Sequence, residues 1–518
     1  MFSVTPQQQR GLSKNMSEFP TSESAQCTKP RSDNCTHDHQ IQCHFRRQGS
    51  MTAHPHTGFP DPEKGAVMEP EPCLLQTSPD NGSMLPDLEK WDKPRVNRFR
   101  YLATVAGLVI MGLHDAATGA LIPYVESYYD IDYTVVSLLF LAPFVSYLAA
   151  ALSSNLIHHH YGQRGIAILA PLCRLVGYII MALHPPFPVL PVAMLFPGFG
   201  NGLEDSAWNA WIGNLQNANE LLGVLHGAYG AGATIAPLIA TAMVTKGNHP
   251  LEWYTYYYIM IGVSALEASL TVPAFWSANA AAFRDKQGPS VDQDSRTTTR
   301  TVLREPITWL VAFFLLGYVG AEVSLGGWIV TFMLRFRHAE AFSAGLTVTY
   351  FWLGLTCGRV LLGFITGRIG EKLAITAYLC MSIVLEVLYW LVPSFVASAV
   401  FVAFLGFFLG PLFPAAIVAA TKLLPVDYHV SAIGFAAALG GGGAAVFPFV
   451  VGVIAQKVGV SVLQPIIVAI LSFILIIWLI LPGGLRRGGL EQARANHERV
   501  GHEIRRVYKW TKSKKDSI

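Results

Sequence analysis

PGFGNGLEDSAWNAWIGN, Pro197 to Asn214, places two adjacent acids, Glu204 and Asp205, inside an apolar segment that begins near Leu190. A carboxylate at the bilayer centre costs about 2.5 to 3.5 kcal/mol on insertion scales, so it persists where it faces a water-filled cavity or a partner. On a helix, Asn201, Glu204, Trp208 and Trp211 fall at steps of three and four and share one stripe, and Gly198, Gly202, Asp205 and Asn209 share the next. The first stripe reads as a site. An indole face packs against a sugar ring while amide and acid bond its hydroxyls, so this stripe, with Asn209, is expected to bind a polyhydroxylated solute. The second stripe reads as packing, because small residues let a neighbouring helix approach closely.

The rest of the chain agrees with a membrane setting. Of 518 residues 52% are apolar and only 14% are charged, and mean hydropathy is positive; a soluble protein with a polar surface would not tolerate this. From Tyr101 the apolar segments follow one another, twelve in all from 101–123 to 461–482, each close to the ~20 residues that cross a bilayer. The fold class expected is therefore an all-α polytopic membrane protein with twelve transmembrane helices in two six-helix bundles. Its parts are a disordered N-terminal tail (1–95), a first bundle (96–276), a linker (277–305), a second bundle (306–482) and a C-terminal tail (483–518).

Lys90, Lys93, Arg95, Arg98 and Arg100 precede the first segment, and Arg164, Arg284, Lys286, Arg296, Arg300, Arg304, Arg368, Lys372 and Lys422 fall on the same side. The far side holds Lys246, Arg335, Arg337 and Lys457. Basic residues collect on the cytoplasmic side, so both tails and the linker are expected in the cytoplasm, with the plasma membrane as the setting. The sequons at Asn15, Asn34 and Asn81 then stay unused. The net charge of +3 sits beside membrane segments and implies no nucleic-acid partner. Seven cysteines imply no disulfide framework. Cys27, Cys35, His37, His39, Cys43 and His44 match no zinc template. No cofactor and no metal site is expected. With no phosphate loop and no nucleophile paired with a base, nothing supports an enzyme.

The two halves superimpose at offsets of 207 to 211 residues. Asp115 meets Glu322, Gly119 meets Gly326, Gly198 and Gly202 meet Gly406 and Gly410, and Gly232 and Pro237 meet Gly443 and Pro448. Parallel halves imply a pseudo-two-fold axis along the membrane normal, with the solute bound between them near the midplane.

These residues resemble the major facilitator superfamily. Its loop signature is kept in GFITGRIGEK by Gly363, Arg368, Gly370 and Lys372; in NLIHHHYGQR only Gly162 and Arg164 remain, with His159 and His160 where the acid and base would stand. Asp115 in HDAATGALIPY and Glu204 in NGLEDSAWNAW are similar to the first-helix Asp and fourth-helix Glu of the fucose-proton symporter branch. The resemblance implies a transporter, embedded in the lipid bilayer, that moves a small sugar-like solute with a proton by alternating access. Asp115, Glu204, Arg174 and Glu322 are its candidate coupling and substrate residues. Asp115 and Glu204 as acids that only bond neighbouring helices, and Arg174 as a static counter-charge, stay open. Glu267 and Glu386 read as interhelical packing, and Tyr318 and Trp328 as well as interfacial anchors. Two other functions fit the sequence: efflux of a more apolar metabolite, and a non-transporting nutrient receptor.

Overall fold

The structure is a computed structural model that describes residues 89–247, 249–287, 301–425, 428–485, 488–493 and 495. The metal-like cluster and sequons of the N-terminal tail, residues 288–300 of the linker and most of the C-terminal tail lie outside the described residues.

The described chain is nearly all helix. The first half comprises α1 (Arg95–Tyr129), the single turn α2 (Tyr133–Val136), α3 (Leu138–Ala182), α4 (Val189–Gly213), α5 (Ala218–Thr245) and α6 (Tyr256–Phe275). The short α7 (Ala280–Gln287) follows. The second half comprises α8 (Pro306–Arg335), α9 (Ala341–Ile369), α10 (Glu371–Leu391), α11 (Phe395–Leu409), α12 (Leu412–Leu423), α13 (His429–Val458) and α14 (Leu463–Ile480). Among the described residues eleven spans are long and apolar enough to cross a membrane. The expected fourth is α4, whose 25 residues reach ~37 Å; Asn201, Glu204, Asp205, Ser206 and Asn209 stand where the other spans are apolar.

Two expected segments share α3, which turns at Gly162 with φ +69°. A side chain there would meet Ala278 and Asn279 backbone within 2.5 Å, so the glycine is required by both conformation and space. Arg164 donates its backbone N–H to Ala278 O at 3.0 Å, and its guanidinium lies 5.1 Å from the Trp276 ring centre. The degenerate signature copy is thus tied to the exit of α6 by backbone and aromatic contacts. His158 stacks on Phe283 of α7 at 5.1 Å. The last described residues of the N-terminal tail are folded: Gln216 N donates to Glu89 O and Asn97 Nδ2 to Glu89 Oε2.

The repeat reappears as matched contacts. A Cβ on Gly198 would lie 2.7 Å from Pro143 O and one on Gly202 3.0 Å from Tyr147 O; their mates Gly406 and Gly410 would meet Phe351 O and Leu355 O, 208 residues further on. A Cβ on Gly232 would collide with Val109 O as one on Gly443 would with Leu316 O. Backbones this close need glycine on one side.

We call the side where α1 begins the proximal face. At the opposite, distal face the two halves touch: Gly345 of α9 meets Thr241 of α5, Gly327 meets Phe140, Arg335 pairs with Glu126 at 3.6 Å, and Lys246 lies 3.7 Å from the Phe342 ring centre. Toward the proximal face they part. A Cβ on Gly230 of α5 would still collide with Thr356 of α9, but one on Gly223 or Gly227 of α5, Gly363 or Gly367 of α9 or Gly434 of α13 would meet nothing within 4 Å.

Candidate functional site

Between the halves lies a cavity of about 320 Å³ lined from both sides. The first half supplies His114, Asp115, Tyr147, Asn201, Asp205, His226 and Tyr229, and the second supplies Glu322, Trp352, Arg359 and Phe413, with Gly441 at one wall. Repeat mates Asp115 and Glu322 both line it, as their register requires.

Each acid facing the cavity is held by a donor. Asp115 accepts from Asn201 Nδ2 at 3.3 Å and from Tyr229 Oη at 3.1 Å. Asp205 accepts from Tyr147 Oη and, at 2.8 Å, from Asn209 Nδ2, and Asn209 Oδ1 lies 3.1 Å from His226 Nε2. Glu322 accepts from Arg359 at 3.4 Å, and Tyr318 Oη accepts from the same guanidinium. Arg359 is the one guanidinium or ammonium among the lining residues. Its Nε donates to Gly410 O at 3.2 Å. In an unbroken helix that carbonyl would receive the N–H of residue 414, which is a proline without one. The gap between α11 and α12 therefore gives a cavity cation a backbone partner.

Behind this wall lies a second network. Asn201 Oδ1 accepts from Arg174 Nε at 2.8 Å, and Arg174 donates on to Glu204 Oε2 at 2.7 Å and to Glu267 Oε1. The Arg174, Glu204 and Glu267 side chains are all 0% exposed. Asn201, on α4, thus joins cavity acid Asp115 of α1 to an ion cluster built by α3, α4 and α6.

The α4 stripes need correction. Glu204 points into the interior of the first half, and Trp208 stacks on Phe275 at 4.4 Å with no exposed surface; Trp211 packs edge-on against the same ring. The face read as helix packing does pack, Gly198 and Gly202 lying against the α3 backbone at Pro143 and Tyr147, and it also brings Gly198 and Asp205 to the cavity wall, with Asn209 bonded behind Asp205. The reason is that α6 and the second leg of α3 occupy the Glu204 side and satisfy its acid there. Glu267, read as packing, is an ion-pair partner of Arg174. Tyr318 is buried within the second half, and Trp328 is buried at the seam between the halves, against Tyr133 and Phe140 with its Nε1 donating to Pro448 O at 2.9 Å, so neither is an interfacial anchor. Gly370, at φ +106°, turns the chain between α9 and α10 as Gly162 does in α3. Lys372 caps the carbonyls of Leu479 and Leu481, and Gly363 has open space around it. Tyr147, Asp205, His226, Tyr229 and Arg359 were not singled out for the site from sequence. Arg359 and Asp205 carried the signal that marked Arg174, a charge inside an apolar run, though Asp205 fell on the stripe read as packing, and the others carried none beyond polarity.

Known proteins agree with this architecture. The chain is 31% identical over 414 residues to Bypass of stop codon protein 6 of Saccharomyces cerevisiae, covering 74% of this chain and 82% of that protein. It is 23% identical over 364 residues to the Glucose/mannose transporter GlcP of Bacillus subtilis, covering 68% and 88%. Among solved structures, the nucleoside transporter NupG superposes with a TM-score of 0.60 at 13% identity, covering 74% of this chain and 99% of that one. An inward-facing, unoccupied bacterial homolog of the human lysosomal transporter Spinster gives 0.59 at 12%, covering 75% and 97%. The sequence model of the Major Facilitator Superfamily matches residues 104–385 and 324–512. With two repeated halves, a cavity at their interface and a family match over most of its length, the chain belongs to the Major Facilitator Superfamily of membrane transporters.

Proposed function

We propose that this transporter moves a small, polyhydroxylated solute of the sugar class by alternating access, coupled to a proton. The observation that carries this reading is the polar lining contributed by both halves, Asp115, Asn201, Asp205 and Tyr229 facing Glu322, Arg359 and Trp352. Amides, phenols and acids alternate as donors and acceptors, which suits a solute rich in hydroxyls. Trp352, Phe140, Phe144 and Phe413 offer flat faces for its ring. The relatives and solved structures it is similar to include a protein named for glucose and mannose and another for nucleosides, both polyhydroxylated. Asp115 and Glu204, the positions that resemble the fucose-proton branch, are joined through Asn201 and Arg174. That gives a route by which solute at the cavity wall alters the interior acids.

The geometry supports the following cycle. With the distal contacts closed and α5 and α9 parted proximally, solute enters from the proximal side. Bound solute touches both halves and so favours their approach, and breaking the Glu126–Arg335 and Gly345–Thr241 contacts opens the other side. The basic flanks favour the proximal side as cytoplasmic, and the plasma membrane is the setting we propose. Tryptophan and phenylalanine faces also suit the efflux of a more apolar metabolite, and one experiment separates the two. Purified protein in sealed proteoliposomes is given radiolabelled D-glucose under an imposed pH gradient. Uptake that follows the gradient, competes with other hexoses and falls at least tenfold in Asp115→Asn is expected. Transport of apolar compounds alone, with no hexose competition, would refute the sugar reading.

A further inference from the structure

The charges behind the cavity do not balance. Arg174 is one cation between two carboxylates, Glu204 and Glu267, in a cluster with no exposed surface. The groups facing it are Asp115 (through Asn201) and His114 from α1, Cys173 and Tyr178 from α3, and Tyr257 from α6. None of these supplies a second guanidinium or ammonium. Leaving a net negative charge buried is strongly unfavourable, so the cluster is electrically complete only with one added proton.

Hydrogen bonding identifies the atoms involved. Asp115 has donors on both oxygens, Asn201 and Tyr229, so neither oxygen is left without a partner. Glu204 and Glu267 each keep one oxygen, Oε1 and Oε2, buried without a partner. Their bonded oxygens converge beside α1, where a Cβ on Gly107 would lie 2.8 Å from Glu204 Oε2 and 3.0 Å from Glu267 Oε1. The missing side chain of Gly107 is what leaves room for two acids around one arginine.

We infer that a single proton belongs to the Glu204–Glu267 pair, held across Arg174, and that this pair, not the cavity acid Asp115, carries the coupling proton. The second statement rests on the proton-coupled reading above. Asn201 is then a positioning residue, transmitting occupancy of the cavity to Arg174. When Arg174 is drawn toward Asn201 and Asp115, its hold on the two carboxylates loosens and the proton stays. When Arg174 regains the contacts seen here, the pair keeps its proton but holds it less tightly, so the proton exchanges more readily, and no other bond changes.

The test is infrared spectroscopy of the purified full-length protein at neutral pH, without solute, taken as parent-minus-variant difference spectra. Glu267→Gln and Glu204→Gln should each remove a protonated-carboxyl carbonyl band, because one remaining acid forms a simple ion pair with Arg174; Asp115→Asn should leave that band in place. Gly107→Ala removes no ionisable group and presses a methyl on both acids, so it should move the pH at which the band disappears by about half a unit or more. It keeps the inference testable should a glutamine variant misfold. An unchanged band in both glutamine variants, or its loss in Asp115→Asn alone, would overturn the assignment. D-glucose uptake in proteoliposomes separates the two statements. A triad band without pH-driven uptake overturns the coupling role and leaves the proton site, and pH-driven uptake without a triad band overturns the site and returns coupling to Asp115.

Discussion

Gly119 and Gly326 are repeat mates, 207 residues apart, and they touch: a Cβ on Gly119 would lie 2.1 Å from Gly326 O. Only residues on a symmetry axis can meet their own mates, so this contact marks where the pseudo-two-fold passes through the distal seal. A methyl at this point cannot be absorbed by one half alone, and overpacking of this kind costs about 1 to 3 kcal/mol. Gly119→Ala should shift the population away from the distally closed state by about one to two decades. Disulfide trapping between Glu126→Cys and Arg335→Cys should fall accordingly, and undiminished trapping would show that the contact has slack.

Trp208 should matter for folding and not for affinity. It is fully buried on Phe275 and absent from the cavity lining. Trp208→Ala is expected to cost about 3 to 5 kcal/mol of stability while the half-saturating solute concentration stays as in the parent. A tenfold rise in that concentration in a normally folded variant would return Trp208 to the site.

Arg359→Gln should remove transport and also destabilise, since it unpairs Glu322 and leaves Gly410 O without a donor. Removing one partner of a largely buried pair costs about 3 kcal/mol. The double change Arg359→Gln with Glu322→Gln should recover part of the melting temperature without recovering transport. Equal melting temperatures for single and double variants would show that the pair contributes nothing.

Glu340 caps α9 at the distal face, accepting from Phe342 N, Ser343 N and Ser343 Oγ at 3.1, 2.9 and 2.8 Å. These bonds, from Ser343 first, hold its carboxyl below the usual range. A folded value below the unfolded one contributes stability above the unfolded value, about 4.3, and loses it as pH falls through the folded value. Thermal melts should therefore show a steeper loss on acidification in the parent than in Glu340→Gln. Parallel curves would place the cap's contribution elsewhere.

Much of the fold was legible because membrane helices follow from apolar length, and the repeat because glycine is required wherever two backbones meet. Asp115, Glu322 and Arg174 were legible for the related reason that charge inside lipid needs a purpose. The α4 face was not. Helical spacing tells which of Glu204, Asp205 and Trp208 share a side, but the direction of the cavity depends on what α3 and α6 place opposite them. Arg174 turned Glu204 inward from 30 residues away in sequence, and no local pattern in either helix announces the other.

The carbonyl that Pro414 orphans and Arg359 adopts makes the joint between α11 and α12 answerable to the cavity. A solute that claims this guanidinium competes with the backbone for it, so occupancy and the bend of a helix trade against each other. The joint would then work as a load sensor. Its angle would report whether the carrier is laden, and a donor engineered to bond Gly410 O in place of Arg359 would leave a helix that no longer notices its freight.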